Sequence, residues 1–438
     1  MAVKDADIAR LLSPVLAGEP DEVAARLLAE PDGVHRAELP GGERAWVISR
    51  YDDVRRLLAD PRLALDKRMS RGGYRGFALP PALDANLLNM DGTDHARLRK
   101  LVVSAFSTRR IEALGERVQV ASDALIDALP ADGRADLLEV YAAPLPVTVI
   151  SDLLGVPGAE GAALRECTQV LLTPAKFGPE EAAAAVGRII RLLGGLIAAR
   201  RSAAPDGASS DGTLPGGAPA TDLLAAMVAA RDGADRLSED ELLSLAFLVL
   251  FAGYENSVHV ITAATARLLA VPERAARVRA QESPHTPEMR RLVEEFLRDD
   301  PPASHAIRRF PTEDVKVGAT VIPAGDLVYL AIATANRDPE GAASGGGAET
   351  HVSFGHGPHY CLGAPLARLE TRIALWNLFR RLPDLALAVP PADLAWKSDH
   401  RQRALRSLPV AYSRTGPLRP DVVITPTALP AWQPTARV

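Results

Sequence analysis

Residues 238–269 limit the possible folds more than any other stretch of this chain. Ser238 and Glu241 stand in the spacing of a capping box, in which each side chain satisfies a free backbone N–H of the other. An apolar series follows through Leu242, Leu245, Leu248, Val249 and Ala252. A helix that long, with so few charges in its middle, offers no polar face to water and must be buried on most sides. It therefore needs other helices around it. Alanine- and leucine-rich helical patterns from about residue 93 to 280 supply them. Strand-like runs fall outside that body, at "RAWVISR" (44–50) and "VKVGATVIPAGDLVYL" (315–330). The second predicts a hairpin turned by Gly318, Pro323 and Gly325. The expected class is mainly α with a smaller β region.

Composition removes several functions. The formal net charge of −5 gives no reason to expect a nucleic-acid partner. Only Cys167 and Cys361 occur among 438 residues, too few for a disulfide framework, so a reducing compartment, the bacterial cytoplasm, is expected. No signal core or membrane anchor is read from the sequence. Residues 202–220 read as a flexible Gly/Pro/Ser linker inside a single domain, 1–413, and residues 414–438 as a proline-rich tail.

"FGHGPHYCLGAPLAR" (354–368) poses the chemical question. The apolar stripe after it, at 366, 369, 373, 376 and 379, predicts a helix beginning near Leu362. Cys361 then sits at a helix N-terminus, where free N–H groups and the dipole favour a thiolate. Three readings compete: a small buried cysteine beside a turn, a zinc site with His356 and His359 that lacks a second thiolate, and a single axial thiolate to a haem iron.

The spacing Phe-Gly-x-Gly-x-His-x-Cys-x-Gly-x-x-Leu-Ala-Arg resembles the haem-binding loop of the cytochrome P450 family. Phe354, Gly355, Gly357, His359, Cys361, Gly363, Leu366, Ala367 and Arg368 fill its fixed positions. The resemblance covers roughly residues 20 to 412. It implies the cytochrome P450 fold and haem b, with Cys361 as the ligand to iron and Phe354, Gly355, His359 and Gly363 shaping the loop. "MDGTDHARLRK" resembles the family's propionate-binding segment, with His95 and Arg99 on one helix face, and Arg309 in "HAIRRFPTED" matches a further propionate-binding arginine; His359 is another candidate. Glu295-x-x-Arg298 resembles the family's structural Glu-x-x-Arg. "ANRDP" (335–339) also fits. The segment after it, 340–353, lacks the arginine that usually completes that cluster and is expected to be looser.

In "FAGYENS" (251–257), Gly253 costs about 1 kcal/mol against alanine in a helix interior. The resemblance implies that the helix opens there to admit dioxygen. Glu255 matches the acid of the family's acid–alcohol pair, while Asn256 stands where threonine is usual. Ser257 is rotated by about 100° from that position and should not simply replace the hydroxyl. Glu255, Asn256, Ser257 and Gly253 are the candidate catalytic residues.

The family also implies a substrate site shaped by residues 68–90, part of 165–200 and residues 299–306, with Leu248, Phe251, Ala252 and His305 facing it. Mostly apolar walls suit a bulky lipophilic molecule. The expected activity is hydroxylation or epoxidation of a natural product of polyketide or macrolide kind, using dioxygen and electrons from a ferredoxin and its reductase, by a monomer or weak dimer. Oxidative coupling without oxygen insertion is the rival within enzymology. A non-catalytic haem sensor is the rival outside it.

Overall fold

The computed structural model describes residues 20–38, 43–74, 81–103, 106, 108–172, 178–203, 222–232, 237–343, 350–396, 402 and 404–413. The linker at 204–220, most of the glycine-rich 340–349 stretch and the 414–438 tail lie outside them.

Six helices position the site: α1 (Gly92–Val103), α2 (Gly115–Asp127), α3 (Pro144–Leu154), α4 (Glu239–Ala270), α5 (Pro287–Asp299) and α6 (Ala364–Arg381). The expected boundaries of α4 hold because its start is encoded locally. Ser238 Oγ accepts the Glu241 N–H at 3.1 Å, and Glu241 Oε2 accepts the Ser238 N–H at 2.8 Å. Glu241 also pairs with Arg97, which ties α1 to the same end. α5 starts where Thr286 Oγ1 accepts the Met289 N–H at 3.3 Å and Pro287 occupies the first turn. α3 stops at Gly155, whose φ of 66° is the left-handed conformation that glycine adopts without penalty.

α4 packs against α3 and α6, and α6 in turn packs against α2, α4 and α5. Their shared core includes Leu245, Phe247, Leu250, Ile261, Leu375 and Phe379. Among the described residues two helices, Glu180–Ser202 and Glu239–Ala270, are long and apolar enough by length and composition to cross a membrane, where the sequence led to the expectation of no such stretch. The second is this central helix, and the first packs against helices 158–172 and 223–232.

The β part has a smaller core, built on Trp46, Ile48, Leu57, Val328 and Leu330. Strands β1 (Val34–Glu38) and β2 (Arg44–Ile48) pair antiparallel. The expected hairpin is half of what forms. β3 (Val315–Val317) turns at Gly318 onto β4 (Thr320–Ile322), whereas β5 (Leu327–Leu330) leaves to pair in parallel with β2. Near the C-terminus, Pro409–Ala411 pairs with Arg134–Asp136 and with Ala386–Leu387.

Candidate haem site

Local hydrogen bonds close the cysteine loop. The Cys361 N–H donates to Phe354 O at 2.9 Å and the Gly355 N–H to Val352 O at 2.8 Å. Gly355 and Gly357 have φ of 74° and 73°, and a Cβ on Gly357 would lie 2.7 Å from that of Ala59. Helix α6 begins at Ala364, two residues later than expected, with Gly363 as its N-cap.

Cys361 is packed about by protein yet keeps exposed surface. Burial pushes its thiol above the ordinary cysteine range and outweighs the backbone N–H groups of Gly363 and Ala364 and the charges of Arg99 and Arg368. The helix end alone therefore does not make a thiolate here; a bound cation would.

His95, Arg99, Arg309 and His359 gather around the loop. The His95 and His359 rings lie 4.0 Å apart, and Arg99 donates to Tyr360 O at 2.7 Å. His359 Nε2 and Asp91 Oδ1 are 3.1 Å apart. Among the described residues no group of three or more His, Cys, Asp or Glu side chains is placed to hold a metal ion, which leaves the zinc reading without ligands. Burial first, then His359 and Arg99, lower the His95 pKa to about 4, so its ring is neutral at pH 7. Burial also lowers that of Arg309 to about 10. His95 Nε2 and Arg309 Nε are buried without hydrogen-bond partners. Two orphaned buried donors beside an open thiol call for an acceptor group, and the carboxylates of haem are of that kind.

The distal candidates lie on α4. Residues 257–266 are all buried, whereas Leu248, Val249, Phe251, Gly253, Tyr254, Glu255 and Asn256 keep partial exposure and Ala252 is exposed. The helix is therefore incompletely covered along that stretch. α4 nevertheless runs without interruption, so the expected opening at Gly253 is not present. What Gly253 provides is space, since a Cβ there would meet Ile150 Cδ1 at 2.9 Å. The Asn256 amide makes only a long 3.5 Å bond to Ala252 O, and its Oδ1 is buried without a partner. Glu255 accepts from Gln402 Nε2 at 2.8 Å. His305 packs on Tyr329, with ring centroids 4.2 Å apart.

Ser257, read as a catalytic candidate, is buried on another face and bonds to Glu370 of α6. Burial pushes the Glu370 carboxyl up to about 8, so it is a neutral acid at pH 7. The signal for Glu370 was present in the sequence as an acid inside the apolar stripe of α6. Its ordinary value is 4.5, so the folded state retains a proton that the unfolded chain releases above that pH. Stability is then full below pH 4.5 and falls as pH rises toward 8, by about 1.4 kcal/mol per pH unit. Glu370→Gln should flatten this slope in urea unfolding between pH 5 and 8. Parallel pH curves for the two proteins would show the carboxyl is not held neutral.

The bracing cluster differs from expectation. Glu295 pairs with Arg291, and Arg298 donates to Asp299 at 2.9 Å. The carboxylate that reaches the cysteine loop is Glu294, which accepts from Arg368 Nε at 2.7 Å and from its second nitrogen at 2.9 Å. His351 Nε2 lies 3.0 Å from Glu294 Oε2. The Ser353 N–H donates to His351 Nδ1 at 3.2 Å, which makes Nδ1 an acceptor and puts the ring proton on Nε2, facing Glu294. His351 thus adds a donor from the segment where an arginine was missed. The end of that segment is not loose: Asn336 accepts the Val352 N–H at 2.9 Å and donates to Ser353 Oγ at 2.8 Å.

An open thiol, orphaned buried donors and an accessible stretch of a buried helix together define a site that fits a haem-thiolate protein. The sequence profile described as Cytochrome P450 matches residues 180–341. The monooxygenase PikC of Streptomyces venezuelae is 40% identical over 407 residues, covering 91% of this chain and 92% of that protein. The mycinamicin IV hydroxylase/epoxidase of Micromonospora griseorubida is 36% identical, covering 88% and 94%. The structure of the monooxygenase TamI with tirandamycin C bound superposes with a TM-score of 0.76 at 39% identity, covering 91% of this chain and 98% of that one. The chain belongs to the cytochrome P450 family: it is a haem-thiolate monooxygenase and binds haem b.

Proposed function

We propose that this monooxygenase hydroxylates or epoxidises a bulky lipophilic natural product of polyketide or macrolide kind, in the cytoplasm, with a ferredoxin and ferredoxin reductase delivering electrons. The reading of the site is carried by the exposed Cys361 in its glycine-rich loop with the unpartnered buried nitrogens of His95 and Arg309, and by the partial exposure of Leu248, Val249 and residues 251–256 on the long helix. The relatives support the substrate class, since mycinamicin IV and tirandamycin C appear in the names of two of them.

In this reading, haem would supply the reductive activation of dioxygen that the side chains cannot perform, and the Cys361 sulfur would hold its iron. His95, Arg99, Arg309 and His359 would hold its two carboxylates, and Phe354, Gly355 and Gly363 would shape the cysteine loop. Glu294, Arg368 and His351 brace that loop, beside Glu295 and Arg298. Leu248, Phe251, Ala252 and His305 contribute to the substrate wall and exclude water from the reacting carbon. Glu255 is the proton source, and Asn256 orients the water through which the proton passes, because an amide is a poor relay of its own. A compound panel screened for shifts of the Soret band identifies the substrate, and heavy dioxygen then reports the reaction. Label in the product supports oxygen insertion, and unlabelled coupled product overturns it.

Asn256→Thr is expected to leave turnover similar or better coupled, measured as product per reducing equivalent. A loss on the order of 100-fold with haem retained would make the amide itself essential.

A further inference from the structure

We propose that Gln402 is a positioning residue for Glu255, setting the aim of the acid from a point where its own backbone bridges to Ala303. The inference rests on the role given above to Glu255. Gln402 lies 147 residues away in sequence, and its Nε2 donates to Glu255 Oε2 at 2.8 Å. The backbone of Gln402 forms an antiparallel bridge with Ala303, inside the 299–306 segment assigned to the substrate wall. One residue therefore touches both the wall and the acid. A hydrogen bond from a neutral donor to a carboxylate is charge-assisted, stronger and shorter than one between neutral groups. A glutamate on a helix has several rotamers, and a fixed donor selects among them. Because the donor is anchored through residue 303, an occupant that moves the wall also moves the carboxylate. The acid's position is in this way linked to what fills the cavity.

Neither partner alone reveals this link. Glu255 is placed by the helix, and Gln402 lies in "SDHRQR", a polar run with no strand alternation.

The test uses the haem-loaded full chain and the variants Gln402→Leu, Gln402→Glu and Glu255→Gln. The infrared carboxylate band of Glu255, isolated by difference against Glu255→Gln in resting, substrate-free protein, should shift in Gln402→Leu. Product per reducing equivalent should fall by about tenfold, the effect of one charge-assisted hydrogen bond on a rate. The solvent isotope effect on turnover should rise, while haem content stays unchanged. Gln402→Glu keeps the length but sets a carboxyl against a carboxylate, and it should lose coupling as well. If Glu255→Gln loses coupling while both Gln402 variants keep the band and the coupling, the role of Gln402 is overturned. If Glu255→Gln itself keeps coupling, the reading of Glu255 fails and the inference falls with it.

Discussion

Replacing Glu294 by glutamine is expected to cost the folded protein about 3 kcal/mol, the low end for breaking a buried ion pair. The carboxylate receives a two-pronged bond from Arg368, at 2.7 and 2.9 Å, and a third donor from His351 at 3.0 Å. Glutamine can accept only on one side and leaves the guanidinium without its counter-charge. The low end applies because Arg368 keeps 28% of its side-chain surface, so water offsets part of the loss. The damage should reach the metal ligand. Arg368 lies 4.5 Å from the Phe354 ring centroid and donates to Tyr360 Oη at 3.1 Å, and these residues flank the strap that holds Cys361.

The same group sets an acid limit. Burial opposes ionisation of Glu294, but His351 and Arg368 prevail and hold its carboxyl at about 2, against an ordinary 4.5. A carboxyl lowered on folding stabilises above its unfolded value, and that stability disappears as pH falls from about 4.5 toward 2. Urea unfolding of wild type should therefore weaken across that window, and Glu294→Gln should lack this part of the slope. A variant that unfolds within about 1 kcal/mol of wild type would show that Arg368 is braced by something else.

Legibility in the sequence follows the range of the forces involved. The start of α4 and the cysteine loop were readable because a capping box and a glycine-rich turn are complete within a few residues. The departure of β5 was not, because its partner β2 lies far away in the chain and no local pattern separates a hairpin strand from a parallel one. The bracing acid was displaced by one residue because Glu294 and Glu295 are adjacent and spacing alone cannot say which rotates toward α6. His351 carries no signal in the sequence because the resemblance implies an arginine in that segment, whereas the carboxylate needs only a donor. Gly253 suited a break in the helix by propensity, yet the helix runs through it, and a Cβ there would meet only the end of the Ile150 side chain. Gln402 had no periodic signal at all.

Removal of the sulfur tests the remaining and largest dependence. In Cys361→Ala, the unpartnered buried nitrogens of His95 and Arg309 remain to meet the haem carboxylates. Haem should therefore still bind, though less tightly. Its reduced carbon monoxide complex should lose the signature of thiolate ligation, and substrate oxidation should fall at least ~1,000-fold, roughly 4 kcal/mol of barrier. The reason is electronic: alanine has no lone pair to push toward the metal, and cleavage of the O–O bond depends on that push. Cys167→Ala is the control. Cys167 is buried in the helix 158–172, so its loss should cost stability by the removal of one small buried group while leaving the spectrum intact. A Cys361→Ala protein that kept the thiolate spectrum would place the iron ligand elsewhere. With only two cysteines in the chain, that would make Cys167 the ligand and turn the site inside out.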